Sequence, residues 1–129
     1  MPAYCIFDIR DIVDETGLET YRDRVRETVE QYGGRYLFVG GRFEVVEGGW
    51  RPAFPVLIEF SSLEQAHQWY GSEEYCELKE LRLRALRSDA VFMEGLMDGF
   101  RWVDATRSHL YQASASHHQR CRTISAPLS

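Results

Sequence analysis

The stretch Pro55-Val56-Leu57-Ile58-Glu59-Phe60, followed by Ser61-Ser62, decides the fold. Its run of β-branched, aliphatic and aromatic residues predicts a strand near the centre of a sheet. A serine then caps a helix, because Ser61 precedes Glu64 and Ser62 precedes Gln65 by the three residues of a capping box. We expect this helix to break near Gly71 and to begin again behind Ser72, continuing to about Leu86.

The elements before and after this stretch complete a βαββαβ order, with one extra strand in the middle. Residues 3–10 predict a first strand, and Thr16 with Glu19 forms a capping box ahead of a helix with one apolar stripe. Gly33-Gly34 ends that helix. We then expect strands at Arg35–Val39, at Arg42–Glu47 beyond a Gly40-Gly41 hairpin, and at Asp89–Gly95. The order predicts an α+β fold, the ferredoxin-like sandwich with an antiparallel sheet.

The predicted strands are apolar on both faces. In the first strand Tyr4 and Ile6 oppose Cys5, Phe7 and Ile9, and in the strand at Pro55–Phe60 Leu57 opposes Val56, Ile58 and Phe60. A sheet with one face in water alternates apolar and polar residues instead. Because the helices cover only one face, we expect a second copy of the chain to cover the other, as a homodimer.

Composition limits the classes of partner. The net charge of −5 argues against general nucleic-acid binding. No apolar run approaches the ~20 residues of a membrane span, and the three scattered cysteines form no disulfide framework, so we expect a cytoplasmic protein. We expect one domain over residues 1–95, then an extension over 96–129 that is partly ordered at first and flexible from about Gln112.

Several motifs together resemble a short bacterial family, domain of unknown function 1330. They are Met1-Pro2-Ala3-Tyr4, Phe7-Asp8-Ile9, Tyr32-Gly33-Gly34-Arg35-Tyr36, Gly40-Gly41, Glu47-Gly48 with Trp50, Ile58-Glu59-Phe60, Trp69-Tyr70, Ser72 with Tyr75, and Arg82. The resemblance covers roughly residues 1–95 and implies the dimeric α+β barrel superfamily. That superfamily includes cofactor-independent monooxygenases and isomerase-like enzymes, but the family implies no activity for this chain.

Two carboxylates inside apolar strands are candidate catalytic groups. Burial of Asp8 or Glu59 would favour the protonated form and so suit proton transfer. Arg42 and Arg82 are candidate ligands for an anionic or carbonyl group, because a guanidinium fork matches a carboxylate. The alternative is that Asp8 or Glu59 makes a structural ion pair across the dimer.

Aromatic residues cluster in sequence around the helix break. Trp69, Tyr70 and Tyr75, with Trp50, are candidate walls for a flat apolar ligand, although core packing is the commoner explanation for such residues. His109, His117, His118 and Cys121 match no zinc pattern, so we predict no metal site.

Two functions follow from these residues. The first is a dimeric protein that binds or transforms a small apolar or anionic molecule without any metal or organic cofactor. The second is a non-catalytic module for dimerisation or protein interaction, in which Phe100 and Trp102 of the extension contact another chain. A weaker third is haem binding through His67 or His109.

Overall fold

A computed structural model describes residues 1–96 and 99–102. Its elements are β1 (Ala3–Ile12), α1 (Glu15–Gln31), β2 (Arg35–Val39), β3 (Pro55–Phe60), α2 (Leu63–Tyr70), α3 (Glu73–Ala85) and β4 (Leu86–Glu94). The strands form one antiparallel sheet in the order β2-β3-β1-β4. This is the ferredoxin-like α+β order predicted from the sequence.

The core lies between one face of the sheet and the helices. Every second residue of β1 up to Phe7, and every second residue of β3, is buried there, namely Ala3, Cys5, Phe7, Val56, Ile58 and Phe60. Val25 and Val29 of α1, Ala66 and Trp69 of α2, and Tyr75 and Leu78 of α3 pack against them. Phe60 and Trp69 lie at the centre of this layer, with ring centroids 5.4 Å apart.

The opposite face of the sheet carries no helix. An apolar row crosses all four strands there, because Phe38 pairs with Leu57, Leu57 with Ile6, and Ile6 with Val91. Phe38 and Val91 are exposed, and Ile6 and Leu57 are half-buried. We call Phe38, Leu57, Ile6 and Val91 the open-face row.

Helix ends show which local signals the chain uses. Ser62 accepts a hydrogen bond from the Gln65 backbone N–H at 3.0 Å and begins α2, and Ser72 caps α3, as the sequence predicted. The capping box at Thr16 is wrong, because Asp14 caps α1 by accepting from the Thr16 N–H at 3.1 Å. Gly33, with φ at 77°, follows α1 where the left-handed region is needed.

Two strand predictions need correction. No strand forms at Arg42–Glu47, because no described strand lies beside that segment to accept its backbone hydrogen bonds. The last strand is Leu86–Glu94 and not Asp89–Gly95, because Ile12 and Asp11 of β1 extend the pairing back to Leu86 and Arg87. Most of the predicted extension lies outside the described residues.

Candidate functional site

A buried arginine is the centre of the candidate site. Arg82 of α3 is only 4% exposed. Its Nε donates to the Tyr75 hydroxyl at 3.1 Å, its Nη1 to the Ser88 hydroxyl at 2.8 Å, and its Nη2 to the Tyr70 hydroxyl at 3.3 Å. The guanidinium carbon also lies 5.2 Å from the ring centroid of Phe7. We call Arg82, Tyr75, Tyr70, Ser88 and Tyr21 the arginine–tyrosine cluster.

The charge of Arg82 has no acidic counterpart in the described chain. No described carboxylate lies within 4.0 Å of its guanidinium. A guanidinium has five N–H bonds, and the two that remain after the three hydroxyl contacts have no acceptor among the described residues. Burial of a charge is costly unless it is paired. The cluster therefore has the charge and the free donors that a carboxylate ligand requires.

The break between α2 and α3 positions the aromatic walls. The Ser72 hydroxyl donates to the Trp69 carbonyl at 2.7 Å and accepts from the Tyr75 N–H at 3.1 Å, so one side chain joins the two helices. The ring centroids of Trp69 and Tyr75 consequently lie 4.2 Å apart, and those of Tyr70 and Tyr75 lie 5.9 Å apart. Seven residues after Tyr75, two helical turns on, Arg82 returns to the same face of α3.

A second tyrosine from α1 reaches the cluster. The hydroxyl groups of Tyr21 and Tyr75 lie 2.8 Å apart. Burial raises the pKa of Tyr75, although the nearby Arg82 charge opposes this, and burial also raises the pKa of Tyr21 well above its ordinary value. Both phenols are neutral at pH 7; one of their two protons lies in the hydrogen bond between them, which leaves the other for donation to a ligand.

The cluster approaches solvent beside β4. Tyr70, Ser88 and Phe92 are half-buried, and the rings of Tyr70 and Phe92 meet edge-on at 5.5 Å. The buried Lys79 fixes the backbone here, because its ammonium donates to the Tyr70 carbonyl at 3.1 Å, at the end of α2. Its position is that of a cation at a helix C-terminus, which is a structural role.

The structure separates the other sequence candidates from this cluster. Glu59 lies on the opposite face of the sheet, with its carboxylate 2.8 Å from Arg35 Nε. Asp8 lies on that face too, and its Oδ1 accepts from the backbone N–H groups of Ala53 and Phe54 at 2.9 and 2.8 Å. Both carboxylates have ion-pair partners within the chain, which for Asp8 is Arg10 at 3.1 Å.

Two further candidates are exposed and make no contact with the cluster. Arg42 is exposed and pairs with Glu44 at 3.4 Å, and Trp50 is 68% exposed. Trp69, Tyr70, Tyr75 and Arg82 are the sequence candidates that the fold brings together.

Sequence reasoning missed Tyr21 and Ser88. Tyr21 belongs by its spacing to the apolar stripe of α1, and Ser88 lies in β4, one residue before the strand start predicted at Asp89. The alternating arginines of residues 82–87 have the pattern of a solvated helix rim, but Arg82, Ala85 and Leu86 are buried. A signal was available for Arg82, because its seven-residue spacing from Tyr75 places both on one helix face.

An open depression of about 750 Å³ lies elsewhere, along α2. His67 lines it, together with Glu64 and Glu94, and His67 also contacts the Phe92 ring at 5.2 Å. The two carboxylates at its rim disfavour an anion there. The described residues contain no group of three or more His, Cys, Asp or Glu side chains suited to hold a metal ion, and His109, His117, His118 and Cys121 lie outside them.

The antiparallel β2-β3-β1-β4 sheet with helices on one face defines this chain as a ferredoxin-like α+β protein. Within that class the chain belongs to the family described as Domain of unknown function (DUF1330), whose model matches residues 2–96. The resemblance found in the sequence is confirmed. A search of curated proteins gave no significant match.

Solved structures share the fold at low sequence identity. RPA0582, a protein of unknown function from Rhodopseudomonas palustris, is 15% identical with a TM-score of 0.61, over 74% of this chain and 83% of its own. The hypothetical protein At3g17210 from Arabidopsis thaliana is 12% identical with a TM-score of 0.52, over 77% of this chain and 92% of its own.

A third structure is from Bacteroides fragilis and is described as a dimeric protein of unknown function with a ferredoxin-like fold. It is 16% identical with a TM-score of 0.43, over 73% of this chain and 94% of its own. Among the described helices, none is both long enough and apolar enough to span a bilayer.

Proposed function

We propose that this protein binds a small organic anion, a carboxylate or enolate with an apolar body, at the arginine–tyrosine cluster. The observation that carries the proposal is the buried Arg82 charge, which has no carboxylate partner and two unused N–H donors in the described chain. Arg82 would bind the anionic group, and the neutral Tyr75 hydroxyl would donate to it or transfer a proton.

The aromatic side chains supply the apolar part of the site. Trp69 and Tyr75 form its inner wall, and Phe92 lies at the side nearest solvent. Tyr70 is the side chain that we expect to move, because it is half-buried and its hydroxyl makes the longest of the three contacts with Arg82. Such apolar pockets with a few polar groups are typical of small-molecule sites.

The test replaces Arg82 by methionine, which is of similar length and carries no charge. The matched control is Arg84→Met, on the same helix but exposed. Benzoate, phenylpropanoate and octanoate, with their neutral amides, are titrated by ligand-observed NMR. We expect a carboxylate to bind wild type and Arg84→Met, and about tenfold or more weaker binding to Arg82→Met, since charge-assisted hydrogen bonds contribute about 1.5–3 kcal/mol.

Circular dichroism checks that Arg82→Met is folded. Equal affinity of Arg82→Met and wild type would show that the anion binds elsewhere. Binding of none of the carboxylates, together with a large loss of stability in Arg82→Met alone, would show that Arg82 only joins α3, α2 and β4.

We also propose that the chain forms a homodimer through the open-face row. The open-face row supports the dimer. It lies on a face that no helix covers, so its apolar side chains can be removed from water only by contact with another surface. A second copy presents the same row, as two-fold symmetry requires. Light scattering after gel filtration should give twice the 15.0 kDa chain mass. Ile6→Asp should give the chain mass itself, whereas Ile6→Val should remain dimeric; a monomeric wild type would refute the dimer.

A further inference from the structure

The segment between β2 and β3 contains exposed apolar residues without a partner surface. We call residues 41–50 the arm. Val46 is 88% exposed, Trp50 68% and Phe43 44%. Within the described chain no backbone N–H of the arm donates to another backbone group, although the Arg42–Glu47 sequence has the composition of a strand. Unpaired backbone of this composition is a template for pairing with another chain.

The base of the arm is held firmly. The Gly40 N–H donates to the Pro55 carbonyl at 2.7 Å, and Arg10 Nη1 donates to the Arg51 carbonyl at 2.6 Å. The two hydrogen bonds to Asp8 fix the residues immediately before β3. The arm therefore leaves the sheet at a fixed position, beside the end of the open-face row contributed by β2.

The arm is complementary to itself in charge. In an extended strand Arg42 and Glu44 lie on one face, and Phe43 and Val45 on the other. If two copies pair antiparallel about Phe43, the Arg42 of each copy lies opposite the Glu44 of the other, and the two phenylalanines face each other. Pairing one residue further along, about Glu44, would instead oppose two carboxylates, which is unfavourable.

We propose that the arm forms a strand with the arm of a second copy, in the register centred on Phe43. This inference rests on the homodimer proposed above and assigns it a further contact. An isolated two-stranded ribbon is only marginally stable. The open-face rows would supply most of the association energy, and the arms would set the register and exclude other partners.

The test is a charge exchange between copies. Arg42→Glu and Glu44→Arg each place like charges opposite each other in their own dimers, but a mixture of the two variants restores both opposite-charge pairs. The variants are mixed with one isotopically labelled, and native mass spectrometry measures the fraction of mixed dimers. We expect an exchange constant about fivefold above the statistical value, from two cross-strand charge pairs.

A matched control distinguishes contacts between copies from contacts within one copy. Arg26 and Glu30 form an i,i+4 pair on α1 at 2.8 Å, and both are exposed. A mixture of Arg26→Glu and Glu30→Arg should give the statistical fraction of mixed dimers. If the arm variants also give the statistical fraction while dimers persist, the arm proposal is wrong and the homodimer stands. If wild type is monomeric at every concentration, both are wrong.

Discussion

Thr28→Val tests how the core positions the candidate site. Trp69 is fully buried, and its indole N–H donates to the Thr28 hydroxyl at 3.0 Å. That hydroxyl in turn donates to the Val25 carbonyl at 2.7 Å. Valine has nearly the shape of threonine but no acceptor, so the variant leaves a buried N–H unpaired in the residue that packs on Tyr75.

The expected loss follows from these contacts. An unsatisfied buried donor costs about 1–3 kcal/mol. Removal of the Thr28 hydroxyl leaves little cavity, so we expect about 2 kcal/mol, the middle of that range. For a domain of this size that is a decrease in Tm of roughly 10 °C. In urea, with a slope of about 2 kcal/mol per M, the midpoint should fall by about 1 M.

The assay is urea unfolding followed by tryptophan fluorescence, at one protein concentration because association shifts the apparent stability. Thr20→Val is the matched control, because Thr20 lies on the same helix, is exposed, and donates only to the Thr16 carbonyl at 3.2 Å. We expect its effect to stay within about 0.5 kcal/mol. Equal midpoints for the two variants would refute the importance of the Trp69 hydrogen bond.

Three further predictions concern stability at alkaline pH, the loop before β3 and the contact between α1 and α3. Burial raises the pKa of Cys5 to about 12 and also that of Tyr75, so the folded chain retains protons that the unfolded chain releases. The contribution of these groups to the free energy of unfolding is fully present below about pH 9 and should fall as the pH rises toward 12. Urea midpoints that stay constant between these pH values would contradict this. Asp8→Asn removes a charge that accepts two backbone N–H groups, so we expect a loss of about 1–2 kcal/mol and faster proteolysis of the arm. Gly17→Ala would place a methyl group 2.9 Å from the Ala85 Cβ, so crowding of about 1–3 kcal/mol should exceed the ~1 kcal/mol gain in helix propensity; a raised Tm would refute it.

Much of the fold could be predicted because its signals are local. The Pro55–Phe60 strand is observed with the predicted bounds, and Ser62 and Ser72 cap their helices as their spacing indicates. The prediction of a strand at Arg42–Glu47 was wrong, although this segment too is rich in residues that suit a sheet. Composition establishes that a segment suits a sheet, whereas a strand also requires a neighbouring strand with free hydrogen-bonding groups.

The candidate site was predictable only where its residues share one helix region. Trp69, Tyr70, Tyr75 and Arg82 lie within fourteen residues of one another around the Gly71 break. Tyr21 comes from α1, 54 positions before the Tyr75 hydroxyl that it contacts, and no local pattern indicates that contact. Stricter use of strand parity would have separated Glu59 from this group, because Ile58 and Phe60 face the helices and Glu59 must face away.

The two faces of the sheet thus differ in the kind of function that they support. On the helix face Phe7 packs against Trp69 and lies below the Arg82 guanidinium, so an uncompensated charge lies inside an aromatic core. On the other face Asp8 and Glu59 have arginine partners within the chain, and the apolar row lies between those two ion pairs. Compensated charges beside apolar residues suit a contact between proteins, whereas an uncompensated buried charge suits a small ligand of opposite sign. The proposed ligand binding and the proposed dimerisation are therefore separable by mutation, since Arg82→Met and Ile6→Asp change opposite faces of the same sheet.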